Sequence, residues 1–254
     1  MTAEPEPQAS TVPAVRTVSL TAPFGWLAHG FQDYRAHRLP SLFYGACFAV
    51  MGWFVAFTFQ HAYEYVSALV TGFFLVGPFL AIGLYDLSRR RERGLPTRLV
   101  PTLNAWAPNV GAIGMFTLVL GVILLVWARA SLIVFALFYT GEMPTVATFL
   151  RQMLSPDNLE FLFAYACVGG FFAVLVFALS VVSVPMMLDR NTDGVVAVLT
   201  SLKAFGTNVP AMIVWGAIIV VLTAVGFALL FVGLVVTVPV IGHATWHAYR
   251  ALVE

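Results

Sequence analysis

Two histidines four residues apart, His243 and His247, stand near the end of the chain. On a helix that spacing puts both rings on one face. Imidazole is the commonest metal ligand and can hold haem iron, so the pair is the candidate cofactor site of a haem or metal carrier. Against that, no carboxylate follows in a metal-ligand motif. Trp246 and Tyr249 beside the pair read instead as the aromatic, polar end of a helix at head-group level. On this second reading no metal or cofactor is expected. His29 and His37 fall on the same side of the membrane as the pair, and His61 falls on the other.

Other reactive constellations are absent as motifs. The chain has no Gly-x-Ser-x-Gly, no phosphate-binding glycine loop, no His-Glu-x-x-His and no Ser/His/Asp or Cys/His spacing. Cys47 and Cys167 both sit in apolar runs and read as small buried hydrophobes. No catalytic residue is therefore assigned, and the isolated chain is not expected to be an enzyme. The carboxylates nearest the bilayer are Glu64 and Asp86, with Asp189 and Arg190 closing the fourth span. Asp86 can pair with Arg89 or Arg90 one turn on. No Asp, Glu, Lys or Arg falls near a predicted midplane, which counts against proton- or ion-coupled transport.

The elements that must position these residues follow from composition. Of 254 residues 60% are hydrophobic and 10% charged, and the mean hydropathy is +0.90. No water-soluble fold of this length hides so much apolar surface, and a net charge of +1 excludes a nucleic-acid binder. Six apolar runs are long enough, or nearly so, to cross a core about 30 Å thick: 41–60, 65–86, 109–128, 159–188, 210–226 and 228–248. They do not alternate as barrel strands would. The fold class is all-α, a polytopic bundle of about six transmembrane helices, with a reversal expected at Gly226. Residues 1–22 read as a disordered cytoplasmic tail and 23–254 as a single transmembrane domain.

Of the 13 Lys and Arg, all but Arg129 and Arg151 fall on the side of the N-terminus. Both termini should face the cytoplasm. Arg89, Arg90, Arg91 and Arg93 form the strongest anchor and would meet anionic head groups or a docking partner. A weak threefold repeat spans about 23–98, 99–193 and 194–254. Leu103–Val110 resembles Leu202–Val209, and Trp26–Tyr34 opens the first unit. Each repeat would start with an interfacial amphipathic segment, placing Trp26, Trp106 or Phe205 at the lipid boundary, with Trp246 closing the belt. Each then makes a helical hairpin whose returning helix carries Pro78, Pro185 or Pro239. A proline leaves one carbonyl for a neighbouring helix or a Ser/Thr side chain to satisfy. Gly169–Gly170, Gly114, Gly121, Gly226 and Gly233 read as close-packing positions. The apolar strip 131–138 would extend the third helix or lie on the outer face.

Three segments carry a resemblance: Gly-Trp-Leu-x-x-Gly-x-x-Asp-Tyr at 25–34, Gly77–Pro78 through Gly83-Leu84-Tyr85 to Ser88–Glu92, and Pro239–Arg250. Together they are similar to a bacterial family of predicted integral membrane proteins, classed as a domain of unknown function. Some of its members carry a cytochrome c oxidase subunit label. The resemblance implies a proteobacterial inner-membrane protein with a link to respiratory oxidases, and it brings no catalytic residues. A haem–copper catalytic subunit resembles a twelve-helix bundle with at least six ligand histidines. This chain, with five histidines, cannot be one. The function expected is a non-catalytic accessory or assembly subunit of a larger inner-membrane complex, in contact with lipids and other membrane subunits. A small-molecule or lipid transporter is the alternative, and the haem or metal carrier a third.

Overall fold

The structure is a computed structural model and describes residues 12–61, 65–138 and 158–254. Glu64, Arg151 and the outer segment beyond Phe138 lie outside the described residues. The helices are α1 (Ala22–Ala36), α2 (Arg38–His61), α3 (Val66–Glu92), α4 (Leu99–Thr102), α5 (Val110–Phe138), α6 (Leu159–Ser180), α7 (Ser183–Arg190), α8 (Gly194–Thr207), α9 (Val209–Ala228) and α10 (Leu234–Leu252). Among the described residues the only extended pairing is a bridge between Val15 and Val253. This is the all-α polytopic fold that the composition implies.

Among the described residues five stretches are long and apolar enough to cross a membrane: Arg38–His61, Leu69–Glu92, Leu99–Phe138, Leu159–Arg190 and Val209–Ala228. α10, the expected sixth, is not among them, because its second half carries His243, Trp246, His247, Tyr249 and Arg250. The reversal before it is also displaced. It occupies 229–233 rather than Gly226. Gly226 instead lets α10 start close by, since Leu234 lies where a Cβ would go.

One end of the bundle, the basic end, is densely packed. It holds the start of α2, the end of α3, α7, α8 and the end of α10, with α1 laid across them. Its core includes Trp26, Met187, Trp215, Trp246 and Tyr249. Gly30 permits the crossing of α1 and α10, because a Cβ there would sit 2.5 Å from the Ala244 nitrogen. Residues 12–22, read from the sequence as part of a disordered tail, instead run beside the end of α10. The Arg16 N–H donates to the Leu252 carbonyl at 2.8 Å, and the Glu254 N–H to the Ala14 carbonyl at 3.1 Å.

The three prolines act differently. Pro78 and Pro239 lie inside α3 and α10. Pro239 cannot donate to the Val235 carbonyl, and α2 packs its Gly45 directly against that carbonyl. Pro185 follows a complete break between α6 and α7. Ser201 of α8 fills the break: its hydroxyl donates to the Ala178 carbonyl at 2.7 Å and accepts the Val182 N–H at 3.2 Å. These two groups would bond each other in an unbroken helix, so the hydroxyl is inserted into the ladder.

α5 runs 29 residues, roughly 43 Å. The strip 131–138 is thus the extension of that helix. Val134 packs on its own bundle through Phe161, while Leu132, Ile133 and Leu137 stay exposed.

Candidate functional site

The chemistry-bearing side chains collect at the basic end around Asp33. Asp33 lies on the buried face of α1 with Trp26 and Gly30, at helical spacing. Its Oδ2 accepts from the Ser88 hydroxyl at 2.6 Å and from His247 Nε2 at 2.9 Å, while Arg91 donates to Oδ1. His243, wholly buried, bonds Ser88 through Nδ1 at 2.8 Å and Ser41 through Nε2 at 2.9 Å. Burial alone would raise the Asp33 pKa. Hydrogen bonds from His247 and Ser88, and the nearby His247 and His243 rings, hold it down at about 2.

These contacts, with burial pushing the His243 pKa down and keeping its ring neutral, fix the direction of each proton from Ser41 to Asp33. An ionised carboxylate only accepts, so Ser88 spends its hydroxyl proton on Asp33. Ser88 must then accept from His243, which carries its proton on Nδ1. Nε2 is left as an acceptor, and Ser41 donates to it. The chain Ser41, His243, Ser88, Asp33 ties α2, α10, α3 and α1 together. His29 closes the group, its ring 5.2 Å from that of His247.

The expected pair His243 and His247 therefore shares a face, as the spacing predicts. Both nitrogens of His243 are engaged by serine hydroxyls, however, and ligation would break one of those bonds. Among the described residues no group of three His, Cys, Asp or Glu side chains could hold a metal ion. Asp33, Ser41 and Ser88, which complete the cluster, have no motif in the sequence. Their visible traces were the Gly-x-x-Asp of 30–33 and Ser88 at the head of the 88–92 segment.

The arginines are spoken for within the chain. Arg89 and Arg90 both pair with the fully buried Asp86, Arg91 with Asp33 and Arg93 with Asp189. Arg89 also donates to the Leu188 carbonyl at 2.5 Å, fastening α3 to α7. Trp26 and Trp246, expected at the lipid boundary, are only 4% and 1% exposed. Trp26 packs edge-on against Trp215, and the Trp246 indole donates to Glu92 at 3.1 Å. A buried indole N–H needs such an acceptor, and Glu92 provides it. Trp106 remains half-buried, its N–H on the Leu103 carbonyl and its ring against Phe79.

Asn109 and Asn208, which close the two similar segments, each hold a neighbouring strand of backbone. Asn109 donates to the Met187 and Thr192 carbonyls. Asn208 accepts the Val18 N–H and donates to the Arg16 carbonyl.

A second feature lies in the apolar half of the bundle. A cavity of about 690 Å³ is lined from α2, α3, α5, α6, α9 and α10 by residues including Phe48, Pro78, Gly121, Phe172, Thr223 and Leu234. That size is typical of small-molecule sites. Among the described residues Thr223 and the Trp127 indole are its only hydrogen-bonding side chains, and no charged residue lines it. Four glycines, Gly52, Gly77, Gly121 and Gly169, line it too. Gly169, expected to mark tight packing, instead faces space: a Cβ there meets only Trp127, at 3.9 Å, and at Gly77 or Gly170 it meets nothing within 4 Å.

Fold and site together define an α-helical polytopic membrane protein with a polar clasp at one end and an apolar cavity in the other half. A family model described as Predicted integral membrane protein (DUF2189) matches residues 66–189. The match takes in the segment from Gly77 to Glu92 and leaves 25–34 and 239–250 outside it. No curated protein and no solved structure matches the chain.

Proposed function

We propose that this integral membrane protein holds a lipid or a similarly apolar small molecule inside its helix bundle. The observation that carries this reading is the cavity: all six long helices line it, glycines widen it, and it has almost no polar wall. A site without charge suits hydrocarbon and leaves an ion or a charged metabolite unsolvated. Pro78 on the cavity wall and Pro239 beside Val238 are the points at which α3 and α10 bend most readily, which suits a site that admits and releases its ligand. The polar clasp then serves as the fixed base against which the apolar half moves.

The test is to purify the chain from its own host in mild detergent and run native mass spectrometry with extraction of bound small molecules. The expected result is an apolar ligand near one per chain, lost in Gly169→Leu. A chain that carries nothing beyond bulk detergent and lipid overturns the reading. Stoichiometric membrane subunits in the same band, with an empty cavity, support the accessory-subunit reading instead.

A further inference from the structure

The hairpin of α9 and α10 turns beside the middle of α2, short of its far end. Ser41 of α2 lies at the basic end, bonded to His243, and α2 runs on to Gln60 and His61. The stretch from Ser41 to Gln60 rises roughly 29 Å, the thickness of a hydrocarbon core. The 229–233 turn does not reach that level. The Phe231 ring packs on Gly52, where a Cβ would lie 2.6 Å from Phe231 Cδ1. Gly52 stands nine residues before His61, roughly 14 Å along the helix axis.

The turn has the chemistry of a segment surrounded by hydrocarbon. From Phe227 to Gly233 it reads Phe-Ala-Leu-Leu-Phe-Val-Gly, with its one glycine at the last position, and Leu230 is 75% exposed. A turn in water recruits Gly, Asn, Asp or Ser. This one instead places Leu230 and Phe231 at φ of 54° and 66°. Its backbone is largely satisfied from within: the N–H groups of Leu229, Leu230, Val232, Leu234 and Val235 all donate to carbonyls of 225–232. Inside a bilayer each unsatisfied backbone group is costly. By contrast, α2 ends on Gln60 and His61, side chains suited to an interface.

Beside the turn lies an apolar groove of about 350 Å³, formed by Trp53, Phe54 and Phe57 of α2 with Leu230, Phe231 and Val235. It adjoins the central cavity, whose wall includes Gly52, Val55 and Phe227.

We infer that α9 and α10 form a re-entrant hairpin that enters and leaves at the basic end and turns within the hydrocarbon, and that the groove at its turn seats an acyl chain of a phospholipid from the opposite leaflet. The depth of the turn selects this occupant, because at that level the bilayer offers acyl chains and no water. The inference rests on the lipid reading of the cavity and adds the route: the chain passes over the turn, between α2 and α10. The chain termini stay at one end of the bundle, and four of the five apolar spans cross the bilayer.

The experiment uses the full chain with Cys47→Ala and Cys167→Ala, reconstituted in phosphatidylcholine–phosphatidylglycerol liposomes. A nitroxide is attached at Leu230→Cys or, for reference, at Gln60→Cys. The label at 230 should collide with oxygen and escape a water-soluble nickel chelate, while the label at 60 does the reverse. Equal nickel accessibility at the two sites overturns the re-entrant hairpin. In a second arm, benzoylphenylalanine at Trp53 is photolysed in the same liposomes. A phospholipid adduct is expected, and its absence overturns the acyl-chain seat. A deep label at 230 in a chain that purifies with an empty cavity separates the two readings: the hairpin stands and the cavity ligand falls.

Discussion

His243 and Ser88 are joined by a 2.8 Å hydrogen bond whose direction is set by a third residue, since Ser88 gives its own proton to Asp33. The clasp is thus anchored on one carboxylate. Asp33→Asn removes the charge that Arg91 and His247 share and offers an NH₂ where two donors converge. The expected cost is about 1–3 kcal/mol, seen as a lower unfolding temperature in detergent. An unchanged midpoint would mean that the clasp contributes nothing net.

The same carboxylate sets an acid limit. Its pKa falls from 3.8 to about 2 on folding, so the unfolded chain binds the proton more readily. The stabilisation is complete above the unfolded value and is lost as pH drops through about 2. Unfolding midpoints should show a constant contribution from Asp33 between pH 7 and about 5, then a decline on going to pH 2. Asp33→Asn should flatten that part of the profile, and a parallel profile for the variant would refute the assignment.

Two glycines should respond in opposite ways. At Gly45 a side chain runs into the Val235 carbonyl, which is backbone and cannot swing aside, whereas at Gly114 a Cβ meets nothing within 4 Å. Gly45→Ala should lower the unfolding temperature or prevent folding. Gly114→Ala should raise stability by about 0.5–1 kcal/mol, the ordinary gain in a helix interior. Matching effects from the two changes would contradict the α2–α10 contact.

At the break between α6 and α7, Ser201→Ala leaves the Val182 N–H and the Ala178 carbonyl without the hydroxyl that serves both. A loss of about 1–3 kcal/mol is expected from the buried donor alone. Amide exchange at Val182 reports it directly: faster exchange in the variant is the predicted result, and unchanged protection would show that the two groups pair with each other.

Filling the cavity should separate ligand binding from stability. Gly169→Leu points its side chain into open space near Trp127 and improves helix propensity. Bound ligand should disappear while the apo unfolding temperature holds or rises. A variant that keeps its ligand would place the binding site elsewhere.

Much of this architecture was legible in the residues. The apolar runs gave the spans, because a stretch that must lie in hydrocarbon has few other compositions open to it. The i, i+4 spacing of His243 and His247 put them on one face. Their partners were not legible: Asp33, Ser41 and Ser88 are common residue types some 150 to 210 positions away in the chain, and no local pattern records such a meeting. Trp26 and Trp246 misled because an aromatic at a helix end reads the same whether it faces lipid or a buried acceptor. Gly169 misled likewise, since a helical glycine looks alike against a neighbour and against a void. The break near Val182 depends on a hydroxyl from α8, which Pro185 alone does not disclose.

The bridge between Val15 and Val253 has a consequence for biosynthesis. A segment that emerges early from the ribosome is fastened by one that emerges much later, and Asp33 waits for His247, 214 positions further on. Such distant closures are slow. Until α10 is complete, Asp33 lacks the His247 ring and Arg190 lacks the Tyr249 hydroxyl to which it donates at 3.0 Å. A nascent chain stalled before residue 240 would therefore display the basic end open, as a distinct target for quality-control proteases, and the last turn of α10 acts as the latch that ends that exposure.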